Sequence, residues 1–219
     1  MDKNILEIKT VQASAFRILV EALKEILTDA NFECDETGIK MIAMDSSRTV
    51  LVHLKLQADK FESYMCKEKR VLGISMINLF RIIKTMNNND TLTLFLEKEK
   101  DSVLGIRIEN SEKNTTSTFY LNLMDLHVDN IQIPSVEFES VITMPSTDFQ
   151  KIIRDMHNYA DLIDIKSVED HLIFSCNGDF CSQETIIGET DSGMNFAKNK
   201  KPDEIIQGEF ALKHLVLFG

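Results

Sequence analysis

Apolar side chains recur along this chain in two rhythms. From Ser14 to Thr28, the residues Phe16, Leu19, Val20, Leu23 and Leu27 fall at the three-and-four spacing of one helix face. Asn4 to Val11 before that helix, and Gly38 to Met44, Val50 to Leu56 and Phe61 to Met65 after it, have the short, β-branched, alternating character of antiparallel strands. A second helix carries the stripe Met76, Leu79, Phe80 and Ile83 and ends at Asn87-Asn88-Asn89-Asp90. Strands follow at Thr91 to Glu97, Val103 to Glu109 and Ser117 to Asn122. The run from Leu123 to Pro134 has no clear period and closes on a proline, which predicts an extended connector. Then the pattern restarts. Glu139 to Met144 reads as a strand and Ser146 to His157 as a helix striped by Phe149, Ile152, Ile153 and Met156. Leu162 to Ser167, His171 to Cys176 and Ser182 to Ile187 read as strands, and a polar loop through Lys198 to Pro202 leads to a strand at Gln207 to Phe210 and the start of a fourth helix.

This restart is the informative feature, because self-similarity at a fixed period means one structural unit copied. Arg81-Ile82-Ile83-Lys84-Thr85-Met86 and Lys151-Ile152-Ile153-Arg154-Asp155-Met156 agree in residue class at five of six positions. Arg17 on the first helix and Lys213 on the fourth recur at about the same spacing, roughly 60 to 70 residues. The apolar stripes of the first and third helices are displaced by one position relative to that basic residue, so the repeat is approximate. The pattern predicts an α+β chain of two similar domains: residues 1–119, a connector over 120–138, and 139–219. Each domain has helices packed on antiparallel sheets, and the second is incomplete, since its fourth helix is not followed by the strands the repeat calls for.

Charge then changes the picture. With 35 acidic against 24 basic residues, a net charge of −11, the chain cannot coat nucleic acid as a whole. Yet Arg17 with Lys24, Arg81 with Lys84, and Lys151 with Arg154 each lie off an apolar stripe, and Lys213 opens the fourth helix. On any one helix the ordinary reading is a solvated face. Recurrence in an acidic chain argues instead for a shared surface that contacts phosphates without reading bases. The four cysteines, Cys34, Cys66, Cys176 and Cys181, form no CxxC pair and have no His cluster nearby, which predicts reduced thiols and no metal. No apolar run approaches the roughly 18 residues of a membrane span, and Met1-Asp2-Lys3-Asn4 does not open a signal peptide; an intracellular protein with no membrane partner is the expectation. GxxxxGK, GxGxxG and HExxH are absent, which argues against an enzyme and against a cofactor.

Glu21-Ala22-Leu23-Lys24, Ala43-Met44-Asp45-Ser46-Ser47, Leu123-Met124-Asp125-Leu126 with Ile133-Pro134, Met144-Pro145-Ser146, Arg154-Asp155 and Phe210-Ala211-Leu212 resemble the proliferating cell nuclear antigen family of DNA sliding clamps, end to end. The resemblance implies the DNA clamp fold and a head-to-tail homotrimer that encircles duplex DNA without sequence preference. It also implies service as a processivity factor for DNA polymerase and other replication and repair proteins, loading by a clamp loader, and a location in the nucleus or a viral replication compartment. It assigns Arg17, Lys24, Arg81, Lys84, Lys151, Arg154 and Lys213 to the DNA-facing surface. Met44, Arg48, Leu51, Leu126, Ile131, Ile133 and Pro134 fall to a groove for client peptides that carry an aliphatic and two aromatic anchors, although Met44 and Leu126 fit a core role equally well. Ring closure in the family implies pairing of about Ser117 to Asn122 with about Phe180 to Gly188 of the next subunit. Three positions depart from the family: Arg48 where His is frequent, Gln132 where Gly is common, and Glu169 where many members carry a modified Lys, with Lys166 nearby. A clamp paralogue serving damage signalling or viral transcription is the alternative.

Overall fold

The computed structural model describes residues 3–127, 131, 133, 137–138, 140–199 and 204–218. Pro134 and Gln132 lie outside the described residues. The chain divides into two compact units, 1–133 and 134–219.

In the first unit, β1 (Asn4–Thr10) leads into α1 (Ala13–Ile26), followed by β2 (Asp29–Asp35), β3 (Gly38–Met44) and β4 (Leu51–Gln57). After β5 (Ser63–Cys66) and β6 (Arg70–Ser75) comes α2 (Met76–Ile83), then β7 (Thr91–Glu97), β8 (Lys100–Asn110) and β9 (Thr115–Asn122). The strands form two antiparallel sheets, ordered β5-β1-β7-β8-β9 and β4-β3-β2-β6. Strand alternation sends Leu6, Ile8 and Ile106 from one sheet and Phe32, Met41 and Ile74 from the other into a single core, which Val20 and Leu23 of α1 and Leu79 and Ile83 of α2 complete. Burial of each such side chain contributes about 1.5–3 kcal/mol.

The second unit contains β10 (Ser140–Thr143), α3 (Ser146–His157), β11 (Leu162–Val168), β12 (His171–Asn177) and β13 (Ser182–Gly188), then β14 (Asn195–Asn199), β15 (Ile206–Ala211) and α4 (Leu212–Phe218). Its sheets are β13-β12-β11-β15 and β10-β14. The correspondence with the first unit is element by element. β4-β3-β2-β6 becomes β13-β12-β11-β15, the β1 and β5 pair becomes β10 and β14, and each helix follows directly on a strand. The repeat read from the helices is therefore a repeat of whole βα units.

Three strands exceed the sequence expectation: β2, β6 and β14. β2, Asp-Ala-Asn-Phe-Glu-Cys-Asp, alternates strictly, with Ala30, Phe32 and Cys34 buried, but four of its seven residues are Asp, Asn or Glu, which are scarce in strands. β6 runs unbroken through Gly73, and β14 extends into the start of the expected polar loop at Lys198 and Asn199. α2 stops at Ile83, well before the Asn run. Its end is drawn in by Asp90, only 3% exposed, whose carboxylate accepts hydrogen bonds from the Asn87 amide at 2.8 Å and from Asn110 Nδ2 at 2.5 Å. β9 continues to Asn122, and the Met124 amide donates to the Gly73 carbonyl at 2.8 Å, so the start of the connector is tied to the first unit's own sheet.

Candidate functional site

The basic residues divide into two groups. Arg81 and Lys84 on α2, Lys151 and Arg154 on α3, and Lys213 on α4 are all exposed. Each lies off its helix's buried stripe, which is Leu79 and Ile83 on α2, Ile153 and Met156 on α3, and Leu212 on α4. Arg17 and Lys24 on α1 are partly buried and are engaged within the unit. Arg17 Nη1 donates to the Met86 carbonyl at 2.9 Å. The Lys24 ammonium lies 4.7 Å from the centre of the Phe80 ring and pairs with Glu25.

The groove candidates are brought together in part. Met44, Leu126 and Ile131 line an open groove of about 420 Å³ with Ile42, His53 and Asn31. Leu51 stands directly opposite Met44 in the β3–β4 pair, and both are about two-fifths exposed, so they face the groove side of the sheet and not the core. Ile133 is 43% exposed but does not line the groove, and neither does Arg48. Arg48 holds a left-handed backbone, φ 59°, at the turn between β3 and β4. Asp45 organises that turn: its carboxylate accepts from the Thr49 and Val50 amides, each at 2.8 Å, and from the Ser47 hydroxyl. Those bonds, the Ser47 hydroxyl first, hold the Asp45 carboxyl well below the usual carboxylate range, so the turn stays ordered at neutral pH and loses this support only in acid.

Two positions that sequence reasoning did not single out seat the connector over this groove. Asn31 Nδ2 donates to the His127 carbonyl at 3.3 Å. Gly73 lets the connector lie against β6, for a Cβ there would sit 2.1 Å from the Met124 carbonyl oxygen. The signal was present in a lone glycine flanked by Val71, Leu72 and Ile74, once that segment is read as a strand.

β9 and β13 are each the edge strand of their sheet. Seven of the eight β9 residues are exposed, as are Phe180 (77%) and Ile186 (57%) at and near β13. Burial pushes the Cys34 thiol up to about 12, which keeps it protonated and unreactive.

The chain matches the family model for the proliferating cell nuclear antigen N-terminal domain over residues 5–132 and that for the C-terminal domain over residues 132–218. It is 34% identical over 222 residues to the "Probable DNA polymerase sliding clamp 1" of Paramecium bursaria Chlorella virus 1, covering 99% of this chain and 84% of the relative. With the "Proliferating cell nuclear antigen" of Chaetomium thermophilum it shares 34% identity over 223 residues, covering 98% of this chain and 83% of the relative. The protein of the same name from Saccharomyces cerevisiae is 33% identical over 183 residues, 84% of this chain and 70% of the relative. Both domain models fall in succession along a chain whose second unit repeats the elements of the first; the chain belongs to the proliferating cell nuclear antigen family of DNA sliding clamps.

Proposed function

We propose that this sliding clamp works as a homotrimeric ring that encircles duplex DNA, is placed there by a clamp loader, and tethers DNA polymerase and other replication and repair proteins through their client peptides. The observation that carries this reading is the set of exposed cations, Arg81, Lys84, Lys151, Arg154 and Lys213, on helix faces turned away from the core in a chain of net charge −11. Such faces attract phosphates without reading bases, and the acidic remainder of the surface discourages DNA elsewhere. The two long edge strands support head-to-tail closure, β9 of one subunit against β13 of the next, because each presents unpaired backbone groups along its free side. The groove under the connector supports capture of aromatic-anchored peptides. Nothing in this reading requires the clamp to catalyse a reaction; processivity comes from topology. Its site of action is the nucleus or a viral replication compartment.

The assembly has a direct test. Light scattering should give three times the 25.0 kDa of one chain, about 75 kDa, and proline at Tyr120 in β9 should lower it toward one chain by removing a backbone donor from the edge. A wild-type mass of one chain at micromolar concentration would reject the ring.

A further inference from the structure

The exposed face of α1 is not basic. α1 and α3 each follow the first strand of their unit, and their apolar contacts match at a constant offset: Phe16 with Phe149, Val20 with Ile153, Leu23 with Met156. That register sets Ile18 against Lys151 and Glu21 against Arg154. Ile18 is 61% exposed, and Glu21 and Glu25 are exposed beside it. Arg17 and Lys24 match Gln150 and His157 instead, positions on the flank of the helix. In α1 that flank is turned to α2, as their contacts show: Arg17 reaches the Met86 carbonyl, and Lys24 lies over Phe80.

Both contacts grip α2 where it matters for its own cations. Met86 follows the last turn of α2, whose C-terminal carbonyls favour a cation nearby, and the Met86 amide itself donates back to the Ile83 carbonyl at 3.0 Å. Phe80 lies one turn before Lys84 on the same side of α2 and next to Arg81. The Lys24 side chain, 19% exposed, covers that ring while Glu25 holds its ammonium.

We propose that Arg17 and Lys24 are positioning residues that fasten α1 to the C-terminal end of α2 and do not themselves contact phosphate, so that α2, and not α1, carries the phosphate-contacting helix charge of the first unit. This rests on the reading of the helices as a DNA-facing surface. A cation whose donors are spent on a backbone carbonyl, or whose charge is covered by a ring and a carboxylate, releases few counterions when DNA arrives; an exposed cation releases close to one.

The test compares thermal midpoint with the slope of log affinity against log salt on duplex DNA, using the full chain. With slope changes counted for each subunit in contact with the DNA, replacing Arg81 and Lys84 together by alanine should reduce the slope by about 1.8, at about 0.9 per phosphate contact, and leave the midpoint in place. Arg17→Ala should leave the slope unchanged, lower the midpoint by about 2–4 °C, and speed amide exchange at Lys84 to Met86. Arg17→Lys keeps the charge but not the forked donor, so it should lower the midpoint too, and it carries the same comparison should Arg17→Ala fail to fold. Building the missing face with Ile18→Lys and Glu21→Arg should steepen the slope by about 1.8. The proposal is overturned if Arg17→Ala reduces the slope by about 0.9 at an unchanged midpoint and Arg17→Lys restores it. An unchanged slope in the Arg81 and Lys84 double variant would instead overturn the DNA-facing reading on which the proposal rests.

Discussion

Replacing Arg81, Lys84, Lys151 and Arg154 together by alanine is expected to flatten the salt dependence of DNA binding while the protein stays folded and assembled. All four side chains are exposed, and none belongs to the buried stripe of its helix, so their removal opens no cavity. Four lost phosphate contacts reduce the slope of log affinity against log salt by about 3.6 for each subunit in contact with the DNA, at about 0.9 each. Over a rise from 50 to 200 mM salt, wild-type affinity should therefore fall at least about 10²-fold more than that of the variant. The measurement is a titration of duplex DNA at several salt concentrations, with thermal melting as a control. An unchanged slope in a folded variant would remove these helices from the DNA-facing surface.

Gly73→Ala is expected to act on the other surface. The added methyl would meet the Met124 carbonyl oxygen at 2.1 Å and the Leu126 side chain at 3.1 Å, so the connector must lift from β6. Lifting it breaks the bond from the Met124 amide to the Gly73 carbonyl and moves Leu126 out of the groove it shares with Met44 and Ile131. Overpacking of this kind costs about 1–3 kcal/mol. Because client anchors rely on a shaped apolar pocket, affinity for a peptide with one aliphatic and two aromatic anchors should fall tenfold or more, the equivalent of at least about 1.4 kcal/mol. Fluorescence titration of such a peptide reads this directly. The salt slope of DNA binding should not move, since Gly73 lies on a sheet and touches none of the exposed cations. Wild-type peptide affinity in the variant would show that the connector does not shape the site.

These two surfaces were legible in the sequence to different degrees. The third helix, Ser146–His157, could be bounded from its stripe because burial in α3 follows the three-and-four period closely. β2 could not, because its buried Ala30, Phe32 and Cys34 alternate with Asp29, Asn31, Glu33 and Asp35, residues that local propensity assigns to turns; pairing with β3 and β6 overrides that preference. The exposed cations on α2, α3 and α4 could be placed off the apolar stripes from spacing alone. The exposed face of α1 could not: Arg17 and Ile18 are separated by only about 100° around the helix, and what turns one toward α2 and the other to solvent is the packing of a second helix remote in sequence. The groove has the same character. Met44 fits core and groove equally well by sequence, and only its register opposite Leu51 across β3 and β4, on the face away from Met41 and Leu54, distinguishes the two. Gly73 and Asn31 gain their role from a connector 51 and 96 residues away, a contact that no local pattern encodes.

The measurement that bears most directly on the account is retention of the loaded protein on closed circular duplex DNA compared with the same DNA after a single cut, at a salt concentration that weakens the phosphate contacts. A topological ring predicts long retention on the circle and rapid loss once free ends exist, because weak, sequence-independent contacts allow sliding but the closed ring does not open. Equal retention on circular and cut DNA would contradict it, for the protein would then be held by contacts alone.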